Sequence, residues 1–579
     1  MKSIFFLTHI LFNVECLMFI KKEFQKPYLQ VKTESGTVQG VSLQSENLKN
    51  GHYYAFLGIP YAEPPVGDLR FRSPKWVANW SGVLDAGRQG STCVEVLYQV
   101  VSRNSTVTGD ENCLFLNIFT RTNPLRTKIL KPVMVFIHGG GYINGNSDIN
   151  IYGPDLLISE DVLVVTLNYR LGVFGFLSTE DLASPGNYGL KDQNLALRWI
   201  KKNIKYFGGD PNNVLLFGQS AGSSSVHFHM LSSKSQGLFH KVILESGSAL
   251  CQWSSQRKPR NLAYLVGIAN GITNPKDSGE LVNKLRQIDL EDMKQTLLGI
   301  LIVSITQGLI TGLPFAPSLE VDHEDAFLTK NNWYEMLKNG NFSHVPVVMG
   351  INSNEALYFY EEASILQPLL VLLDLDVSLL TPPAMNITDR ELSTSVGALI
   401  RDRYFGQNNR ISTSDVLDLI RYFTEDQFMR PICKTAELMS KYIPLYFYHF
   451  RFESQFGRNA LPGRSFPVGL HGVVHAEELL FLFDTLNNVS KKEADYNVRE
   501  RMIRMWTNFA KYSNPTPSIG NIELGNIVWP TFKSRNNYQT EYLDIDERLK
   551  IRIDFDDFKN VLWWNELFNK YGNPPYHIY

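Results

Sequence analysis

Short runs of unbroken apolar residues punctuate the chain: Val133–Ile137 (VMVFI), Val162–Tyr169 (VLVVTLNY), Val214–Phe217 (VLLF) and Val345–Met349 (VPVVM). Consecutive apolar side chains occupy both faces of a strand. Each run therefore predicts a strand buried on both sides, as in a sheet covered by helices. Between the second and third runs the period changes. Leu195, Trp199, Ile200, Ile204 and Phe207 fall at helical spacing, and Gly208-Gly209-Asp210-Pro211 stops that helix. VLLF then runs straight into Gly218-Gln219-Ser220-Ala221-Gly222, and Ser223–Leu231 (SSSVHFHML) predicts a further helix. Strand, helix, strand, tight turn and helix in that order predict an α/β fold. From about residue 252 to 337, and again from about 366 to 432, the pattern is mostly helical. These stretches read as insertions capping a sheet whose last strands lie near Val345 and Leu445.

Composition narrows the class. The 579 residues are 44% hydrophobic and 12% aromatic, ample for a large core. No linker rich in Pro, Gly or Ser divides residues 23–579, which read as a single domain. Lys and Arg number 56 against 58 Asp and Glu, a net charge of −2 with no long run of either sign, so no nucleic-acid footprint is present. At the N-terminus, Lys2 precedes an apolar stretch from Ile4 to Ile20 that carries Asn13 and Glu15. Residues 1–22 predict a secretory signal, a buried or membrane-surface helix being the other reading. No other stretch is apolar enough to span a bilayer, so no stable membrane anchor is expected. Sequons stand at Asn79, Asn104, Asn341, Asn386 and Asn488. With the signal they predict a secreted, glycosylated protein.

Ser220 sits where an apolar strand turns into a helix between two glycines, the context of a nucleophile elbow. A serine hydroxyl is a poor nucleophile at neutral pH. It needs a base within hydrogen-bond reach, an acid to orient that base, and donors for the oxyanion that develops. Directly after VMVFI stands His138-Gly139-Gly140-Gly141. Successive glycines let backbone N–H groups turn inward with no Cβ in the way. A flexible turn or a phosphate loop uses glycines too, but the lysine and hydroxyl residue of a Walker loop are missing.

Motifs from Gly36–Gly40 (GTVQG) to Trp506–Pro517 (WTNFAKYSNPTP) resemble type-B carboxylesterases of the α/β-hydrolase fold, the family of cholinesterases and insect esterases. They include FLGIPYAEPPVGDLRF, ENCLFLNIFT, HGGGY, NYRLGVFGFLST, GLKDQNLALRWIKKNI, FGGDP, GQSAG and ESGSAL. The resemblance implies a large, mostly parallel sheet covered on both faces, with helical insertions over an active-site gorge. It also implies Ser220 as nucleophile, with oxyanion donors at the N–H groups of Gly140, Gly141 and Ala221. The acid matches Glu355 in GINSNEALY and the base matches His475 in GLHGVVHAEELLFLF. His471 is a nearby rival, and His227 and His229 lie on the helix behind Ser220. His475 fits both the family spacing before Glu478-Leu479 and the chain order serine, acid, histidine.

Other matches are structural. Arg70 with Glu111, and Arg170 with Asp192, resemble the family's bracing ion pairs. Cys93 with Cys113 matches its first disulfide, which closes a loop of about twenty residues for about 3 kcal/mol. Ser246 resembles a supporting serine that hydrogen-bonds near Glu355. Cys251 and Cys433 stay unassigned. Adhesion relatives such as neuroligin-like proteins lack the serine and carry a membrane segment; here Ser220, Glu355, His475 and the glycines are all present. The Cys93–Cys113 loop holds no Trp, and Gln219 stands where cholinesterases place Glu, so choline esters are disfavoured. Ser223 departs from the GQSAGA of juvenile hormone esterases, which leaves that reading open beside detoxification, odorant-clearing or venom roles. The expected partner is a small, apolar ester, and no cofactor or metal is called for.

Overall fold

The structure, a computed structural model, describes residues 25–579 apart from 49–50, 98–105, 330–331, 408–409, 457–469, 486–489, 491, 518–523, 534–539, 554–557 and 577–578. The expected signal segment and the sequons at Asn104 and Asn488 lie outside the described residues.

Strands β1 (Gln25–Lys32), β2 (Thr37–Gln44) and β3 (His52–Pro60) open the chain as an antiparallel meander, with β4 (Val83–Asp85) beside β2. A separate hairpin pairs β5 (Glu95–Leu97) with β6 (Thr106–Thr108). The main sheet continues through β7 (Phe115–Thr120), β8 (Lys131–Ile137), β9 (Leu163–Leu167), β10 (Gly209–Gln219) and β11 (Lys241–Glu245). It ends with β12 (Val347–Asn352), β13 (Leu445–Phe450), β14 (Tyr542–Ile545) and β15 (Lys550–Arg552). In space the order is β1-β2-β3-β7-β9-β8-β10-β11-β12-β13-β14-β15, thirteen strands with β4 among the described residues. From β9 to β14 every neighbour is parallel, while both edges are antiparallel.

The apolar runs become strands because both faces of the sheet are covered. Val133, Val135 and Ile137 of β8 pack into one core with Val214 and Leu216 of β10, while Met134, Phe136, Leu215 and Phe217 pack into the other. The sheet does not stop near Leu445, as the apolar pattern suggests. Strand β14 adds Asp544, whose charge breaks the apolar run; it is buried but paired with Arg552 across the β14–β15 ladder. The helix expected before VLLF spans Tyr188–Asn203, beginning earlier than its apolar face. Its first turns carry Lys191 and Asp192, which bury their charges against Glu320 (2.5 Å) and Arg170 (2.6 Å). Gly208, at φ 85°, ends the 3₁₀ turn that follows. The two capping stretches are helical as expected, for instance at Leu290–Thr311 and Arg390–Tyr404. Arg70 grips Glu111 with two bonds of 2.7 and 2.5 Å, and Cys93 is bonded to Cys113. Among the described residues no helix is long and apolar enough to cross a membrane.

Candidate active site

Strand β10 ends at Gln219, and the helix Ala221–Leu231 starts two residues on, so Ser220 alone makes the turn. It does so at φ 59°, ψ −123°, a conformation that costs a non-glycine residue of order 1–3 kcal/mol. The surroundings hold it there: the Ser220 N–H donates to the Glu245 carbonyl at 2.8 Å. The bracketing glycines answer to close approach. A Cβ on Gly222 would lie 2.0 Å from the Ile137 carbonyl oxygen, and one on Gly218 would lie 2.6 Å from the Gly222 backbone. The helix can start flush against the end of β8 only without those side chains. Ser220 itself is 8% exposed.

Glu355 opens the turn that follows β12 and is fully buried. Its Oε1 accepts the Asn352 N–H at 2.7 Å, and its Oε2 accepts from His475 Nδ1 at 2.7 Å. A carboxylate only accepts, so the proton of neutral His475 sits on Nδ1 and Nε2 presents a lone pair. That lone pair faces the elbow, where the Gln219 side-chain Nε2 lies 3.2 Å away. The rings of Phe428 (4.9 Å) and Tyr358 (5.6 Å) flank the imidazole. The rival His471 is 75% exposed and meets Glu453 instead. His227 and His229 are buried, and burial pushes each down to about 3. His227 Nδ1 accepts the Ala249 N–H, and His229 lies between Ser235 and Gln193, so both are used within the scaffold.

Gly140 and Gly141 follow β8 at φ 100° and 59°. A Cβ on Gly140 would lie 2.0 Å from the Asn144 carbonyl oxygen. Among the described residues no acceptor is engaged by their N–H groups. Ala221 stands at the first position of the Ala221–Leu231 helix, whose dipole favours negative charge there. His138 is stacked on Tyr169 at 4.5 Å and pushed down to about 4 by burial.

Four residues behind and beside Ser220, Glu355 and His475 escaped the sequence reading as partners: Gln219, Asn352, Glu478 and Glu245. Asn352 Nδ2 donates to Glu478 Oε2. Burial, then the charge of Glu355, pushes Glu478 up to about 7. Burial and Glu478 together hold Glu245 well above the carboxylate range, while Trp506 donates to it at 2.7 Å. The available signal was an acid set beside an apolar run, as Glu245 follows KVIL and Glu478 precedes LLFLF. One expectation is corrected. Ser246 Oγ is buried and makes no hydrogen bond among the described residues, while Glu355 Oε1 accepts the Asn352 N–H. The turn holds Ser246 at φ 54°. Cys251 and Cys433 are buried and not joined in a disulfide. The asparagines at positions 79, 341 and 386 are exposed.

Comparison with known proteins gives this geometry its family. The model described as "Carboxylesterase family" matches residues 27–561. The chain is 32% identical to a carboxylic ester hydrolase of Bombus ignitus over 93% of its length and 94% of that protein's. It is 33% identical to the juvenile hormone esterase of Tribolium castaneum, covering 84% of each. The crystal structure of juvenile hormone esterase from Manduca sexta, with OTFP covalently attached, superposes with a TM-score of 0.80 at 28% identity, over 94% of this chain and 100% of that one. The chain therefore belongs to the carboxylesterase family and is a serine carboxylesterase of the α/β-hydrolase fold.

Proposed function

We propose that Ser220, His475 and Glu355 form the catalytic triad and hydrolyse apolar carboxylic esters through an acyl-enzyme. The observation that carries this reading is the 2.7 Å bond from His475 Nδ1 to buried Glu355, with the opposite nitrogen facing the strained elbow. Ser220 Oγ attacks the ester carbonyl carbon as its proton passes to His475 Nε2. The carbonyl oxygen takes the negative charge and is met by the N–H groups of Gly140, Gly141 and Ala221. Collapse expels the alcohol, which leaves with the proton from Nε2. Water then attacks the acyl carbon by the same route, and the acid and free Ser220 are released. Glu355 stays ionised throughout, holding the imidazole's tautomer and its transient positive charge.

A juvenile-hormone type ester is the second reading, favoured by the likeness to two juvenile hormone esterases. Secretion with N-glycosylation is part of the same proposal. It is supported by the Cys93–Cys113 bond, which persists in oxidising compartments, and by the exposed asparagines at 79, 341 and 386. The test is hydrolysis of apolar esters of graded acyl length, juvenile hormone and acetylcholine by the wild type, Ser220→Ala, His475→Ala and His471→Ala. Ser220→Ala and His475→Ala should lose comparable activity, more than about 10³-fold, because members of a triad act as a unit. Activity lost in His471→Ala but kept in His475→Ala would overturn the choice of base.

A further inference from the structure

Gln219 is the last residue of β10, pairs in register with Glu245 of β11, and is 3% exposed. Its amide is wedged between two walls. On one side lies Gly139, where a Cβ would stand 2.9 Å from Gln219 Oε1. On the other lies His475 Nε2, 3.2 Å from Gln219 Nε2. Because Glu355 fixes the His475 proton on Nδ1, the contact has one polarity: the amide N–H donates and the imidazole lone pair accepts. This is the same lone pair that the triad reading assigns to the Ser220 proton.

Resting on that reading, we propose that Gln219 is a positioning residue whose amide N–H caps the His475 Nε2 lone pair in the resting enzyme. It holds the base neutral and correctly aimed until substrate binding brings Ser220 Oγ into its place. When Ser220 Oγ bonds to the carbonyl carbon and its proton moves to Nε2, no lone pair remains there. The Gln219 N–H has already been displaced from it at substrate binding, and it returns once Nε2 has given its proton to the departing alcohol. The cap bonds only the neutral imidazole, so it opposes protonation of the base. The acidic groups beside His475 are Glu355, on the turn after β12, which pairs with it, and Glu478, three residues after His475 in the chain. Phe428 and Tyr358 face it with rings.

The test compares pH profiles of kcat and kcat/KM for 4-nitrophenyl butyrate in wild type, Gln219→Leu and Gln219→Glu. Gln219→Leu removes a bond made only to the neutral base, so its acidic limb should move up by about half a pH unit. Gln219→Glu sets a carboxylate beside the imidazole, so its limb should move up by about one unit, a tenfold loss on the acidic side that is recovered at alkaline pH. Limbs that coincide with wild type, with activity unchanged or lowered evenly at every pH, would reduce Gln219 to packing and overturn the proposal. Should Gln219→Leu not fold, Gln219→Asn, one methylene too short to reach Nε2, makes the same comparison. Organophosphate titration separates the two failures. Failure to label Ser220 overturns the triad, whereas a labelled Ser220 with unmoved limbs overturns the role of Gln219 alone.

Discussion

Asn352 ties Glu355 to Glu478: its backbone N–H donates to the first carboxylate and its side-chain amide to the second. Two acids buried this close cannot both ionise cheaply. Glu355 spends its charge on His475, and Glu478 is left to hold its proton.

A raised folded-state value has a definite sign. Glu478, pushed up to about 7, contributes stability that is complete below the ordinary carboxylate range and is lost as pH rises through about 7. Glu478→Gln should therefore be the more stable protein at pH 8, by on the order of 2 kcal/mol, and the difference from wild type should shrink as pH falls from 8 to 5. Urea unfolding at the two pH values measures it.

The buried histidines act in the opposite direction. Burial lowers His138 to about 4 and His227, His229 and His449 to about 3. Their contribution is present above the unfolded histidine value of about 6.5 and is lost as pH falls below it, each by up to about 1.4 kcal/mol per pH unit. The melting temperature should fall steeply between pH 6.5 and 4.5. His227→Gln, which keeps an acceptor for the Ala249 N–H, should make that fall shallower.

Glycines of the elbow and of the cap should respond differently to alanine. Gly222→Ala drives a Cβ into the Ile137 carbonyl oxygen and should lose more than about 10²-fold in kcat/KM, since small displacements of a nucleophile are that costly. Gly299 lies in the Leu290–Thr311 helix, and a Cβ there meets nothing within 4 Å. Gly299→Ala should raise stability by about 0.5–1 kcal/mol at unchanged activity. Thermal melts and steady-state rates distinguish the two.

The Arg70–Glu111 pair is buried on both sides, at 6% and 7% exposure. Arg70→Met leaves the Glu111 charge unanswered and should cost about 3–5 kcal/mol, whereas replacing both partners with apolar residues should cost much less. A double-mutant cycle by urea melts reads the difference.

The parallel centre of the sheet was legible because burial on both faces leaves an unbroken apolar run, as in Val133–Ile137. The β14 edge was not, because Asp544 breaks the run and only its pairing with Arg552 makes it compatible with burial. At the site, the elbow around Ser220 could be read locally, since its strand, bracketing glycines and helix follow one another along the chain, although the Ile137 carbonyl oxygen that Gly222 must clear lies on β8. Glu355 and His475 lie 120 residues apart and meet only in the fold, so their expected roles came from family resemblance. Gln219, Glu478 and the side-chain amide of Asn352 acquire these partners through that meeting, and no spacing along the chain announces it.

The central claim is that Ser220 is the residue acylated. A fluorophosphonate should inactivate the enzyme with a stoichiometry of one, and peptide mapping by mass spectrometry should place the adduct on Ser220, with Ser220→Ala both unlabelled and inactive. An adduct on another residue, or ester hydrolysis at the wild-type rate by Ser220→Ala, would contradict the account.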